Sequence, residues 1–257
     1  MNGVIFYFSG TGNSKFIARM FAQKMGFDCV DIEEAKQAAA WVSKADTVAF
    51  CYPIYGSTPP RPMREFVAAH KSLFDGKQLI IFCTQLLGSG DGARCLTDHM
   101  KGVGCRVIYA EHFLMPNNVN NLFFLPITGD KRDKKYCADA KKKKDRVCED
   151  IQKGRVVLRG FNPLSKLLGL SQRAFMPGIE ARSTHKVYIN ENCTRCGLCT
   201  QTCPVGNLIL TQDRMAPQGN CMLCYRCTNL CPQRAIKVLF RAWPKKQYRF
   251  WQTDGRL

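Results

Sequence analysis

Short, wholly apolar runs alternate with helix-period stretches over the first 150 residues. V-I-F-Y-F (4–8), Cys29–Ile32, Thr47–Tyr52, Q-L-I-I-F-C-T (78–84) and Cys105–Phe113 read as strands covered on both faces. Between them lie helical patterns. Lys15–Met25 carries Phe16, Met20 and Phe21 at helix spacing, and Glu33-Glu34 opens an Ala-rich helix to about Ser43. Pro62 suits the first turn of a third helix, a fourth ends near Lys101, and Lys131–Lys153 closes the unit. Strands alternating with helices predict βαβ units and a parallel sheet. Five strands predict a doubly wound α/β fold in the order 2-1-3-4-5; a Rossmann half is the competitor, for which a sixth strand is hard to find. Residues 154–182 are less regular and read as a connector that packs on both neighbours. From Val187 the texture changes to short strands, tight turns and dense cysteine. The expected organisation is 1–153, 154–182, a small α+β domain over 183–240, and a basic, aromatic tail over 241–257.

The chain has 257 residues and 15 cysteines, eight of them between Cys193 and Cys231. Residues 192–204 read N-C-T-R-C-G-L-C-T-Q-T-C-P, and residues 220–232 read N-C-M-L-C-Y-R-C-T-N-L-C-P. The offset is 28 throughout, an internal duplication. Each half is C-x2-C-x2-C-x3-C-P. Three thiolates on one tight loop can cap three corners of a cubane, and the proline helps end the loop. Zinc wants two ligand pairs around one tetrahedron, which these triple runs fit badly. Over about 185–240 the chain resembles a bacterial two-cluster ferredoxin. In that family the fourth cysteine serves the other cluster. The resemblance therefore implies Cys193, Cys196, Cys199 and Cys231 on one [4Fe-4S] cluster, and Cys203, Cys221, Cys224 and Cys227 on a second. Arg195 and Arg226 stand between ligands, where a positive charge raises a cluster's potential.

A second motif follows the first strand: F-S-G-T-G-N-S, opening a helix. Backbone N–H groups and hydroxyls there can wrap a phosphate without a cationic side chain. The G-K-[ST] ending of a P-loop is missing, and Lys15 replaces the third glycine of the Rossmann G-x-G-x-x-G. The run is similar to the flavodoxin T-G-N-S/T loop, which implies that Ser9, Gly10, Thr11, Gly12, Asn13 and Ser14 bind the FMN phosphate. Two more loops lie at strand C-terminal ends, where such sheets hold ligands. Pro53, Ile54, Tyr55 and Gly56 follow the third strand. Thr84, Gln85, Gly88, Ser89, Gly90 and Gly92 follow the fourth. The resemblance places both around the flavin ring. The second loop has no aromatic residue, so stacking falls to Tyr55 or to a residue of the second domain. M-P-N-N (115–118) either caps the flavin edge or forms a plain turn.

The formal net charge is +18. Residues 1–129 hold 12 basic and 10 acidic residues, 130–182 hold 15 and 7, and 183–257 hold 11 and 3, so the excess is local. Two oxidised clusters at roughly −2 each and a flavin phosphate would bring the working charge nearer about +12. K-K-K-K (141–144) reads as a solvated helix face or a docking patch for an acidic partner. No nucleic-acid module is visible. The tail is expected to pack on the cluster domain, with peripheral membrane contact as the alternative. The other cysteines read as core residues. No apolar run reaches transmembrane length, and the opening lacks a secretory pattern. Such a chain belongs in the cytoplasm, where thiols stay reduced.

The whole chain looks like the ferredoxin-fused flavodoxins of anaerobic bacteria and archaea. That resemblance implies electron transfer between two [4Fe-4S] clusters and FMN, and exchange with an acidic redox protein or an electron-donor or acceptor enzyme. Two alternatives stand beside it: an FMN-dependent reductase of a small organic substrate, and a redox or oxygen sensor. No catalytic triad or carboxylate pair appears among the motifs.

Overall fold

A computed structural model describes residues 1–249 other than 123 and 213. One sheet carries six strands in the order β2-β1-β3-β4-β5-β6, every neighbouring pair parallel. The strands are β1 (Gly3–Tyr7), β2 (Asp28–Asp31), β3 (Thr47–Pro53), β4 (Gln78–Gln85), β5 (Arg106–Leu114) and β6 (Val157–Leu158). The first five give the expected doubly wound order. The sixth corrects the count. It is two residues long within R-V-V-L-R, too short to show as an apolar run, and pairs through Tyr109 and Ala110.

Covered faces explain the apolar strands. All five residues of β1 are buried, as are six of seven in β3. On one face, α1 (Asn13–Met25) and α4 (Asp130–Gln152) pack with Phe21, Phe82 and Phe113. Phe82 meets Phe21 and Phe113 edge to face. On the other face lie α2 (Ala38–Ser43) and α3 (Arg61–His70), with Phe6, Phe50 and Phe66. α2 starts later than expected, because residues 32–37 form turns. The stretch before Lys101 is 3-10 helix over Arg94–Met100 rather than α-helix. In the lysine run, Lys141 and Lys142 are exposed, whereas Lys143 pairs with buried Glu111 at 3.0 Å.

The connector is the main departure. Residues Pro163–Ser183 form one 21-residue helix, α5, despite Pro177. Asn162 caps it through Ser165 N–H at 2.8 Å, and Pro163 occupies its first turn. Its polarity is inverted. Gln172, Arg173 and Glu180 face inward onto Ser57, Asp91 and Arg64. Leu164, Leu167, Leu168, Leu170 and Phe175 stand exposed. Only Met176 and Ile179 add apolar surface inward, so the helix lacks a continuous apolar stripe toward the core and its sequence reads as irregular.

The cysteine-rich part holds two antiparallel strand pairs: β8 (Leu208–Leu210) with β9 (Met215–Pro217) in sequence, and β7 (Val187–Ile189) with β10 (Ile236–Val238) from its two ends. Two five-residue helices, α6 (Leu198–Thr202) and α7 (Arg226–Leu230), repeat the sequence offset and pack on each other.

Candidate functional site

The turn after β1 is built by its glycines. Gly12 takes φ 103°, open to glycine and costly for other residues, and caps α1. Ser9 Oγ accepts from Gly12 N–H at 3.0 Å. Ser14 Oγ lies 2.8 Å from Thr84 Oγ1, which ties this loop to the end of β4. Among the described residues, the N–H groups of Gly10, Thr11 and Asn13 donate to no protein acceptor. Free donors at a helix start suit an anion.

These residues open into a cavity of about 290 Å³, near the lower end for a small-molecule site. Ser9, Gly10, Thr11, Asn13 and Ser14 form one end. Pro53, Ile54, Tyr55, Gly56, Thr84, Gln85 and Leu86 form a second wall. Tyr55 is half-buried, and its buried hydroxyl has no partner. Met176 and Ile179 of α5 add apolar surface. A polar, donor-rich end and an apolar body match the two halves of a flavin mononucleotide.

Gly88, Ser89, Gly90 and Gly92 lie outside this cavity, contrary to expectation. The loop is turned against α5 instead: a Cβ on Gly90 would strike the Gly169 and Ser165 backbone, and Gly92 abuts Ile54. Buried Asp91 anchors the same loop, held by Arg173 of α5 and by Arg94 at 2.8 Å. These hydrogen bonds hold the Asp91 carboxyl below its ordinary range, against the upward push of burial.

The remaining wall comes from the cysteine-rich part: Leu223, Tyr225, Leu239 and Phe240. Leu223 and Tyr225 each sit between two cysteines of the second triple run. The repeat explains their direction. Arg195 and Leu223 occupy matching positions with φ 56° and 61°, and Gly197 and Tyr225 match with φ 75° and 58°. Where the first run uses glycine, the second places a tyrosine in the left-handed region and sends its ring to the cavity.

An amide web closes the far side. Asn13 Nδ2 donates to Pro116 O at 3.0 Å, and Asn118 Nδ2 to Thr11 Oγ1 at 2.9 Å. Asn229 Nδ2 donates to Asn118 O at 2.9 Å, and Asn120 Nδ2 to Asn229 Oδ1 at 3.1 Å. Tyr248 reaches back from the tail, its hydroxyl donating to Asn13 Oδ1 at 2.5 Å. M-P-N-N thus lies on the cavity, and the tail packs on both halves of the chain rather than on the cysteine-rich part alone. Tail residues 250–257, Trp251 included, lie outside the described residues. The density of asparagine over N-N-V-N-N (117–121) was the available signal for this web.

Cys193, Cys196, Cys199 and Cys231 line one small cavity. Burial pushes the Cys199 thiol up, and Cys193, Cys231 and Cys196 push it further. Burial likewise raises Cys227, reinforced by Cys224, Cys221 and Cys203, then by Cys199. The two expected sets are therefore gathered separately and adjoin. Among the described residues, no three His, Cys, Asp or Glu side chains converge closely enough for a single metal ion. With the Cys199 and Cys227 thiols pushed up, a cationic centre among them would be needed to hold them as thiolates. Backbone N–H groups also point at sulfur, from Asn207 to Cys203 at 3.2 Å and from Ala235 to Cys231 at 3.3 Å. Cys196 is exposed, whereas Cys224 is buried behind the Gly10 loop. By contrast the lone Cys51 and Cys83 sit in the sheet, their thiols pushed well up by burial.

The sequence profile described as flavodoxin domain matches residues 4–155, and two profiles described as 4Fe-4S binding domain match 186–209 and 218–237. No curated protein matches the chain. Among solved structures, a flavodoxin from the domain Archaea shares 16% identity over 59% of this chain and 99% of its own, with a TM-score of 0.41. Megasphaera elsdenii flavodoxin, in its two-electron reduced form, shares 20% over 56% and 99%, at 0.36. Rubredoxin oxygen:oxidoreductase from the anaerobe Desulfovibrio gigas shares 16% over 60% of this chain and 36% of its own, at 0.43. No helix among the described residues is long and apolar enough to cross a membrane. The profile covering more than half the sequence, on a sheet of the matching strand order, makes this chain a member of the flavodoxin-domain family, fused to 4Fe-4S binding domains in an iron-sulfur flavoprotein architecture.

Proposed function

We propose that the chain is an electron carrier holding one FMN and two [4Fe-4S] clusters, with Cys193, Cys196, Cys199 and Cys231 on the first cluster and Cys203, Cys221, Cys224 and Cys227 on the second. The observation that carries this reading is the shared wall. Tyr225, flanked by two cysteines of the second set, lines the same cavity as the phosphate loop. The order along the chain of centres is then first cluster, second cluster, flavin. Exposed Cys196 marks the end at which an external partner meets the protein. FMN accepts one or two electrons and each cubane passes one. Ser9, Gly10, Thr11, Asn13 and Ser14 would hold the phosphate. Pro53 to Gly56, with Tyr225, would hold the ring and keep water from it. The partner is an acidic redox protein, drawn by the basic surface.

The reductase alternative needs room for a substrate. A cavity of about 290 Å³ walled by both domains favours a single occupant. The test is composition: iron, acid-labile sulfide and flavin on protein purified without oxygen. The expected result is about eight iron, eight sulfide and one FMN per chain. Full iron with no flavin, even after FMN is supplied, would sink the proposal.

A further inference from the structure

The phosphate loop has no cation of its own in the cavity wall, yet a cation stands directly behind it. Arg226, the first residue of α7, lies between Cys224 and Cys227. Its Nη2 donates to Ser9 O at 2.8 Å and its Nε to Gly10 O at 3.1 Å. Its Nη1 donates to Thr202 O at 2.9 Å and to Glu33 Oε2 at 2.9 Å, and Glu33 Oε1 completes the pair with Nη2. All three guanidinium nitrogens are thus engaged, and the side chain is only 18% exposed.

The direction of these bonds matters. In a trans peptide the C=O and the following N–H lie in one plane and point in opposite directions. The carbonyls of Ser9 and Gly10 are drawn to Arg226 on one side of the loop. The N–H groups of Gly10 and Thr11 are thereby turned to the other side, where Ser9, Gly10 and Thr11 border the cavity. Those two N–H groups find no protein acceptor among the described residues. The guanidinium stands behind the donors with its charge paired by Glu33 on the far side, so its part is to hold the two carbonyls.

We propose that Arg226 is a positioning residue of the phosphate loop: the cluster domain supplies the side chain that aims the loop's N–H donors at the FMN phosphate. This rests on the flavin reading above and adds to it a part for the second domain. Arg226 fixes the loop without touching the ring.

The test compares FMN with riboflavin, which has the same ring and no phosphate. Binding of each is followed by flavin fluorescence in the full-length protein with its iron restored, for the natural chain, Arg226→Gln and Arg226→Lys. Iron and sulfide content and the visible iron–sulfur absorption check that the clusters are kept. In Arg226→Gln, FMN should weaken at least tenfold while riboflavin changes less than twofold. Arg226→Lys, which keeps the charge and one donor group, should recover part of the loss. Equal weakening of both flavins, or of neither, overturns the proposal. Glu33→Gln covers the case in which the arginine variants do not fold: it loosens the guanidinium from the far side and should give a smaller loss of the same FMN-selective kind, and an unselective one would again overturn the proposal. A natural chain that binds neither flavin would remove the flavin reading itself, a result distinct from a failure of Arg226.

Discussion

Tyr225 shows how much one side chain can reveal. The first cysteine run spends a glycine at the left-handed position and the second spends a tyrosine there, at φ 58°. That conformation costs an L-residue about 1–2 kcal/mol, and the compensation visible here is a ring set against the cavity. Tyr225→Gly restores the residue of the first repeat and removes the wall. Riboflavin and FMN should both weaken, by about tenfold or more, with iron content unchanged; a flavin titration checks it. His112 makes a separate case. It is buried at the end of β5 with Nε2 unpartnered, and burial pushes its pKa down to about 4 despite neighbouring Glu111. Its folded value lies below the ordinary 6.5, so the unfolded chain binds the extra proton first. Its contribution is complete above about pH 6.5 and is lost as pH falls toward 4. Between pH 7.5 and 5.5 the natural chain should lose about 1 kcal/mol more stability than His112→Gln, read by denaturant unfolding at both values.

At the scale of elements, legibility followed periodicity. β1, β3, β4 and β5 are buried on both faces and stood out as apolar runs. β6 has two residues and leaned on β5 for its existence. α5 hid because its inward face mixes Gln172, Arg173 and Glu180 with Met176 and Ile179 while its leucines point outward. Its rotation is set by Gln172 on Ser57, Arg173 on Asp91 and Glu180 on Arg64, contacts between residues more than 80 positions apart, which no local pattern discloses. The same distance problem split the candidate site. The phosphate loop and the cysteine repeat are local motifs and were legible. The turning of Gly88 to Gly92 away from the cavity was decided by α5. Arg173→Met would leave the fully buried Asp91 carboxylate with Arg94 alone, and should cost about 3 kcal/mol. Faster proteolysis within α5 should accompany that loss, and a variant as stable as the natural chain would refute the anchoring role. Close loop-to-loop approach is the other element-scale device. A Cβ on Gly10 would lie 2.5 Å from the Cys224 carbonyl oxygen, so Gly10→Ala should push the cysteine loop off the phosphate loop and reduce FMN retention on gel filtration.

Across the whole molecule the two cofactor regions share walls instead of hanging on a tether. Arg226, Asn229 and Tyr248 each bridge them by hydrogen bonds. In the proposed carrier, transfer between the second cluster and the flavin then needs no search by one domain for the other. Its rate constant should be insensitive to added sucrose and to salt, as read by rapid mixing. Delivery from an acidic external donor should slow as salt rises, because a basic surface steers the encounter. An internal step that slows with viscosity would mean that the domains part and re-dock during turnover.

The contact between Tyr248 and Asn13 also dictates a timetable. Asn13 leaves a ribosome 235 positions before Tyr248. At roughly 5–20 residues per second, the beginning of the flavin cavity waits about 10–50 seconds for its last wall. In the proposed carrier, flavin capture therefore waits for the second cysteine run and Tyr248: a nascent chain halted before them presents the phosphate loop without the residues that hold and enclose it.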